Sequence, residues 1–228
     1  MPLHALIFDV DGTLADTERD GHRVAFNRAF ADAGLDWDWD VDLYGDLLKV
    51  TGGKERIQHY AALRSPHPLS RDFIAQLHAA KNRHYEALLA HNDIPLRPGV
   101  RELLEEARAA GVRLAIATTT SPENVSALLS HALPDGEHWF DVIGAGDVVA
   151  AKKPAPDIYE WVLKKLGLGP RDCVAFEDSE NGVRSAMGAG LKTIVARNAY
   201  TRNHDFTGAV LVVEEWAGVD LGAVRRLV

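Results

Sequence analysis

A doubly wound α/β fold divided by a helical insert is the architecture this sequence predicts, on three observations. A run apolar on both faces, Leu6-Ile7-Phe8, opens the chain, as a strand buried in a parallel sheet does. From Leu96 onward, short apolar strands alternate with amphipathic helices, the signature of βαβ units. Between the two lies a long stretch that reads as helix and holds no strong strand.

In chain order, the first strand runs out into Asp9-Val10-Asp11-Gly12-Thr13, a polar turn at its carboxyl end. Val24, Ala25, Phe26, Ala29, Phe30 and Ala33 recur at helical spacing, with Gly34 as the stop. Further helices are predicted over 42–48, 54–63 and 70–89. Pro98-Gly99 opens an amphipathic helix with Leu103, Leu104 and Ala107 on its apolar side, ending at Gly111, and 112–117 is a strand. Ser121-Pro122-Glu123 combines an N-cap, a proline at the first helical position and an early acid, which together start a helix. Strands follow at 141–145, 172–176, 191–196 and 210–213, with helices between them. The chain therefore divides into an α/β core, 1–14 with 95–228, and a helical insert, 15–94.

Hydrophobic residues make up 46% of the chain and charged residues 25%, ordinary for a globular protein with one large core and a smaller insert. The formal charge of −8 argues against a nucleic-acid surface, which needs a clustered basic face. A phosphorylated substrate stays compatible with it, because a few cations or a metal reverse the field inside a cleft. The single cysteine, Cys173, excludes an internal disulfide; in the run Cys173-Val174-Ala175-Phe176 it is expected as a buried core thiol. No apolar run reaches membrane-spanning length and no signal sequence precedes the first strand, so a soluble, cytosolic protein is expected.

Four segments at predicted strand ends carry chemistry. Asp9 and Asp11 share a face if the strand stays extended. Their repulsion favours a bound divalent cation or a shared proton and suits an aspartyl nucleophile partnered by an acid/base; a solvated Asp-rich turn is the competing reading. Thr118-Thr119-Thr120-Ser121 offers hydroxyls and amides to phosphate oxygens, and also caps a helix. Lys152-Lys153-Pro154 places a lysine where it can neutralise a phosphate and a nucleophile together, against the common reading of a solvated surface pair. Glu177-Asp178 supplies adjacent hard oxygen donors of the kind Mg²⁺ prefers. Within the insert, Glu18 and His22 either point back into the cleft or form an ordinary charged helical turn. Thr51-Gly52-Gly53-Lys54-Glu55-Arg56 exposes amides ahead of a helix start, with two cations behind them. That is an anion nest for a second phosphate or a flexible turn. It is not a P-loop, because Glu55 stands where Ser or Thr is required.

In the order Asp-x-Asp-Gly-Thr, Thr, Lys-Pro, Glu-Asp, each at a strand end, the chain resembles the haloacid dehalogenase superfamily. The resemblance implies a Rossmann-like core, a mobile helical cap in the position of the insert, and an aspartyl-phosphate mechanism. It makes Asp9 the nucleophile and Asp11 the acid/base, has Thr118 and Lys153 grip the phosphoryl group, and builds a Mg²⁺ site from Asp9, Asp11, Glu177 and Asp178. The superfamily's dehalogenases and phosphonatases lack the second aspartate, so a phosphatase or phosphomutase is implied.

More closely, Asp16-Thr17-Glu18-Arg19-Asp20-Gly21-His22-Arg23, Trp39-Asp40-Val41-Asp42-Leu43-Tyr44-Gly45, the Gly-Gly-Lys segment and Phe176-Glu177-Asp178-Ser179-Glu180-Asn181-Gly182 are similar to the CbbY phosphatases over nearly the whole chain. That family acts beside the Calvin cycle, removing the 1-phosphate of xylulose 1,5-bisphosphate, a Rubisco misfire product. Carried over, Glu18, His22 and Thr119 contact the sugar, while Gly53, Lys54 and Arg56 hold the distal phosphate. The alternatives are a β-phosphoglucomutase, a broader sugar-phosphate or phosphoglycolate phosphatase, and a non-catalytic phosphate-binding protein. The expected partner is a small sugar bisphosphate, with no nucleic acid and no membrane, and the expected state is a monomer. Plastid members carry a transit peptide, which this sequence does not show, so a bacterial cytoplasmic location is expected, with the plastid stroma only for a trimmed chain.

Overall fold

A computed structural model describes residues 3–64, 68–91 and 94–227. The ends of the predicted core at 1–2 and 228, and insert residues 65–67 and 92–93, lie outside the described residues. β1 (Ala5–Phe8), β2 (Arg113–Ala117), β3 (Val142–Gly144), β4 (Cys173–Glu177), β5 (Lys192–Ala196) and β6 (Leu211–Val213) form one six-stranded sheet in the order β3-β2-β1-β4-β5-β6. Every pairing is parallel. The chain steps outward from β1 to β3, then crosses back and steps outward the other way from β4. That reversal opens a crevice at the carboxyl ends of β1 and β4, where doubly wound sheets bind ligands. Asp9 follows β1 and Glu177 closes β4, so both stand at the crevice.

Between β1 and β2 run a short π-helical segment (Glu18–His22) and helices α1 (Arg23–Asp32), α2 (Val41–Leu47), α3 (Gly53–Arg64), α4 (Arg71–His91) and α5 (Val100–Ala109). α6 (Pro122–Ala132), α7 (Asp157–Leu166), α8 (Glu180–Gly188) and α9 (Leu221–Leu227) follow in the second part. Period-two alternation in β1 sends Leu6 and Phe8 to one face of the sheet and Ala5 and Ile7 to the other. α5, α6 and α9 cover the first face, α7 and α8 the second. Both faces are thus buried, as a parallel sheet requires. Cys173 is buried in the second layer, and that burial pushes its thiol up to about 12.

The inserted helices form a cap with a core of its own. Phe26, Phe30, Trp39, Tyr44, Ile57 and Tyr60 pack together, with Trp39 4.8 Å from Phe26 and 4.7 Å from Phe30 between ring centroids. Asp40 starts α2, its carboxylate accepting from the Leu43 amide at 2.8 Å. Toward the sheet, Ala25, Tyr85, Leu88 and Leu89 join the main core instead. The chain enters and leaves the cap side by side: Ala15 and Leu96 form an antiparallel bridge, and the Arg97 amide donates to the Leu14 carbonyl at 2.8 Å. Arg97 is buried here, its guanidinium donating to the carbonyls of Gly12, Ala196, Arg197 and Glu214.

The predicted strands and helices differ from those found by at most two residues at either end. One expectation is corrected. β1 stops at Phe8, and Val10 to Ala15 form a tight turn in which the Gly12 amide donates to the Ala15 carbonyl at 2.8 Å. Asp9 and Asp11 are therefore not successive residues on one face of an extended strand, and their side chains go to different partners.

Candidate active site

Lys153 reaches the carboxyl end of β1 from the loop before α7. Its Nζ donates to Asp9 Oδ1 at 2.7 Å and to Glu177 Oε1 at 2.6 Å. Tyr159 of α7 donates to the same Glu177 oxygen at 2.6 Å, and Asp178 Oδ2 accepts from Asn198 at 2.6 Å. Asp9, Lys153, Glu177 and Asp178 are all buried. One cation among three carboxylates leaves negative charge in excess where water cannot screen it. Burial, reinforced by Glu177, pushes the Asp9 carboxyl up to about 7 in spite of Lys153. Burial, with Asp9 and Glu177, pushes Asp178 well above the usual carboxylate range. Burial disfavours the Lys153 charge, but Asp9 and Glu177 more than offset it and hold its pKa above the ordinary value.

Ligand oxygens of Asp9, Glu177 and Asp178 lie within 4.8 Å of one another, and Glu177 Oε2 is buried with no partner among the described residues. Hard carboxylate donors carrying excess charge are the set a Mg²⁺ ion fits. Two glycines leave room for the carboxylates. A Cβ on Gly12 would stand 2.5 Å from Asp178 Oδ2, and one on Gly182 would stand 1.8 Å from Glu177 Oε2. Asp11 stands outside this acidic group, its Oδ1 taken by Thr17 at 2.5 Å and by His22 Nε2 at 2.8 Å.

His22 in turn meets Lys81 of α4, whose Nζ lies 2.7 Å from Nδ1. Burial lowers Lys81 only to about 8, so it is an ammonium at neutral pH, a donor without acceptor capacity. His22 Nε2 faces a carboxylate oxygen, which only accepts, so Nε2 donates to Asp11. Burial opposes the charge on Asp11, but His22 and Thr17 outweigh it and hold the carboxyl below its ordinary range. Asp9 and Asp11 are thus set in opposite directions, Asp9 by burial and its crowding with Glu177, and Asp11 by its donors.

Asp9, Asp11, Glu18, Arg56, Thr118, Thr119, Lys153 and Asp178 line one cavity of about 400 Å³. A small cavity of about 40 Å³ shares Asp11 and Thr119 with it and is edged also by Gly53 and His78. A further cavity of about 380 Å³ is lined by Gly53, Lys54, His78, Ser121 and Lys152. The expectation that Lys54 and Arg56 grip one phosphate is not met. Positions two apart on a helix point away from each other. Arg56 turns inward, donating to the Leu47 carbonyl at 3.2 Å and to the Tyr44 hydroxyl at 3.1 Å. Lys54 turns outward into the further cavity and pairs with Asp147, which Lys152 also contacts at 2.7 Å.

Site residues that escaped the sequence reading include Lys81, Tyr44, Tyr159 and Asn198. Lys81 left a signal, because Ile74, Leu77, Lys81, Tyr85 and Leu88 recur at helical spacing and the lysine interrupts an apolar stripe. A cation on a buried stripe needs a partner.

The haloacid dehalogenase-like hydrolase family matches residues 3–190. The chain is 48% identical to the CbbY protein of Cereibacter sphaeroides, over 99% of this chain and 96% of that one. It is similar to the crystal structure of CbbY from Rhodobacter sphaeroides in complex with phosphate, at a TM-score of 0.91 and 48% identity, covering 98% of this chain and 99% of that one. A mutant of that protein in complex with xylulose 1,5-bisphosphate matches at a TM-score of 0.87 and 48% identity, covering 96% and 100%.

Proposed function

Because the chain belongs to the haloacid dehalogenase-like hydrolases, we propose that it is a Mg²⁺-dependent phosphatase that converts xylulose 1,5-bisphosphate to xylulose 5-phosphate. The observation that carries this reading is the 48% identity, cap included, to a protein crystallised with that bisphosphate. On this reading residues 1–14 with 95–228 are the catalytic domain and 15–94 the cap domain. The protein would work as a monomer in the bacterial cytoplasm, clearing a Rubisco inhibitor beside the Calvin cycle. Among the described residues no helix is long and apolar enough to cross a membrane.

An oxygen of Asp9 attacks the phosphorus, and the ester P–O bond breaks with its electron pair on the sugar oxygen, which takes a proton from Asp11. Asp11 then takes a proton from the water that attacks the aspartyl phosphate, which releases inorganic phosphate and frees Asp9. In the substrate-free site His22 and Thr17 favour the Asp11 carboxylate over its acid form, and the charge of an arriving phosphate raises its pKa toward the acid form the first half requires. The Thr118 hydroxyl and the Lys153 ammonium hold the transferring oxygens. Asp9, Glu177 and Asp178 would hold Mg²⁺, with Asp11 the fourth ligand the family resemblance implies. When bound, the ion neutralises the repulsion between Asp9 and a phosphate dianion. Glu18 and Thr119 face the sugar, while His22, with both ring nitrogens taken, acts through Asp11.

The cap meets the core through polar contacts at the site: Asn82 to Ser121 at 3.0 Å, Asn181 to Thr51 at 3.1 Å, and Lys54 to Asp147. Such contacts rewet at small cost, which suits a cap that opens every cycle. The test is kcat/KM with Mg²⁺ for xylulose 1,5-bisphosphate, ribulose 1,5-bisphosphate, β-glucose 1-phosphate and phosphoglycolate. A preference of about a hundredfold or more for the first is expected, with no turnover in EDTA. Comparable rates on all four would remove the substrate assignment and leave the phosphatase chemistry.

With Arg56 turned inward, the distal phosphate falls to Gly53 and Lys54. Lys54→Ala is expected to lower kcat/KM on the bisphosphate about tenfold or more, the loss of a charge-assisted contact. It should leave β-glucose 1-phosphate within about threefold, since that ester has no second phosphate. Equal losses on both substrates would remove Lys54 from this role.

A further inference from the structure

Tyr44 joins two residues of the cavity without lining it. It is fully buried in α2. Its hydroxyl donates to Glu18 Oε2 at 2.5 Å and accepts from Arg56 at 3.1 Å. The direction is fixed, because a guanidinium only donates and a carboxylate only accepts. Arg56 is itself tied to the Leu47 carbonyl, and its guanidinium carbon sits 5.2 Å from the centre of the Tyr44 ring. The ring is enclosed by Trp39, Phe26 and Tyr200, with centroids 5.9, 6.2 and 6.1 Å away. The hydroxyl therefore has one place to be. Glu18 lines the same cavity as Asp9 and Asp11, and with Oε2 taken by Tyr44, Oε1 is the oxygen left to meet a ligand there.

We propose that Tyr44 is the positioning residue for substrate-hydroxyl recognition: anchored by Arg56, it locks Glu18 in one orientation so that Oε1 accepts from a single hydroxyl of the substrate carbon chain. The inference rests on the phosphatase reading above and deepens it. A carboxylate held at one angle reads configuration. A hydroxyl on the matching side gains a charge-assisted hydrogen bond, whereas its epimer leaves a desolvated carboxylate without a partner. An unanchored Glu18 would spread over several rotamers and accept from either.

Tyr44→Phe keeps the ring and removes only the hydroxyl, so its folding is checked by a single cooperative thermal transition, with a midpoint lowered by the partners left unpaired. kcat/KM is measured for xylulose 1,5-bisphosphate, β-glucose 1-phosphate and the hydroxyl-free p-nitrophenyl phosphate, in the wild type, Tyr44→Phe, Glu18→Gln and the double variant. Tyr44→Phe is expected to lose about tenfold or more on the sugar phosphate the wild type prefers and less than about threefold on p-nitrophenyl phosphate. The double variant should lose no more than Glu18→Gln alone, because the two residues act as one unit. An equal loss on all three substrates, no loss on any, or additive losses in the double variant would overturn the proposal. A wild type that prefers β-glucose 1-phosphate would overturn the xylulose assignment alone, since the selective loss is read on the preferred sugar.

Discussion

Asp9→Asn is expected to lower kcat by more than about 10⁴-fold, the scale on which an enzyme loses a nucleophile, while the protein stays folded. An amide has no carboxylate oxygen with which to form an acyl phosphate, whereas its carbonyl still accepts the hydrogen bond from Lys153. The change also removes one of three crowded charges. The Asp9 carboxyl is raised from 3.8 to about 7, so in the metal-free protein the fold favours its protonated form. The stability this gives is fully present below pH 3.8 and is lost as the pH rises through about 7. Asn does not titrate and keeps that advantage. In EDTA at about pH 8 the thermal midpoint of the variant should therefore equal or exceed that of the wild type, with the difference closing at about pH 4. Turnover within about a hundredfold of wild type would remove Asp9 as the nucleophile.

Lys153→Met should combine inactivity with the largest loss of stability among these substitutions. Methionine fills the volume, but Asp9 and Glu177 lose the cation they share. Breaking a buried ion pair from one side costs about 3–5 kcal/mol. The pKa of Lys153 is raised in the fold, so its contribution is present at neutral pH and disappears only in strong alkali. The deficit should therefore be largest above neutral pH and shrink as the pH falls through about 7, where Asp9 takes up a proton in place of its partner. Urea unfolding in EDTA at about pH 9 and about pH 5 reads this directly, and a deficit below about 1 kcal/mol at about pH 9 would show that the acids do not depend on Lys153.

The sheet was legible because each strand is a short apolar run bounded by turn residues, and the candidate site groups were legible because a parallel strand delivers its polar residues at one end. The partners of those groups were not. Lys81 lies 59 residues from His22, and Tyr44 lies 26 from Glu18; both contacts exist only once the cap has folded. Closeness in sequence also misled. Lys54 and Arg56 look like one cationic pair on paper, yet helical geometry sends them to different cavities. The π-helical segment that carries Glu18 and His22 has no local pattern to announce it, since a charged helical turn reads the same way. Arg97 follows the insert as an apparently ordinary arginine, and only the meeting of four separate carbonyls shows why it is buried.

The bridge between Ala15 and Leu96 means that the cap begins and ends at a single point of the core. Joining the ends of an inserted segment costs entropy that depends on how far apart they must be held and only weakly on what lies between. The closure of the sheet is therefore nearly indifferent to the length of the insertion. Substrate choice and bond cleavage are consequently separable for inheritance within limits: substitutions in 15–94 that spare the residues joining the main core and the Thr17, His22 and Lys81 that hold Asp11 can redirect the protein to another ester while the chemistry is transmitted intact. Such a molecule can change its diet without relearning how to digest.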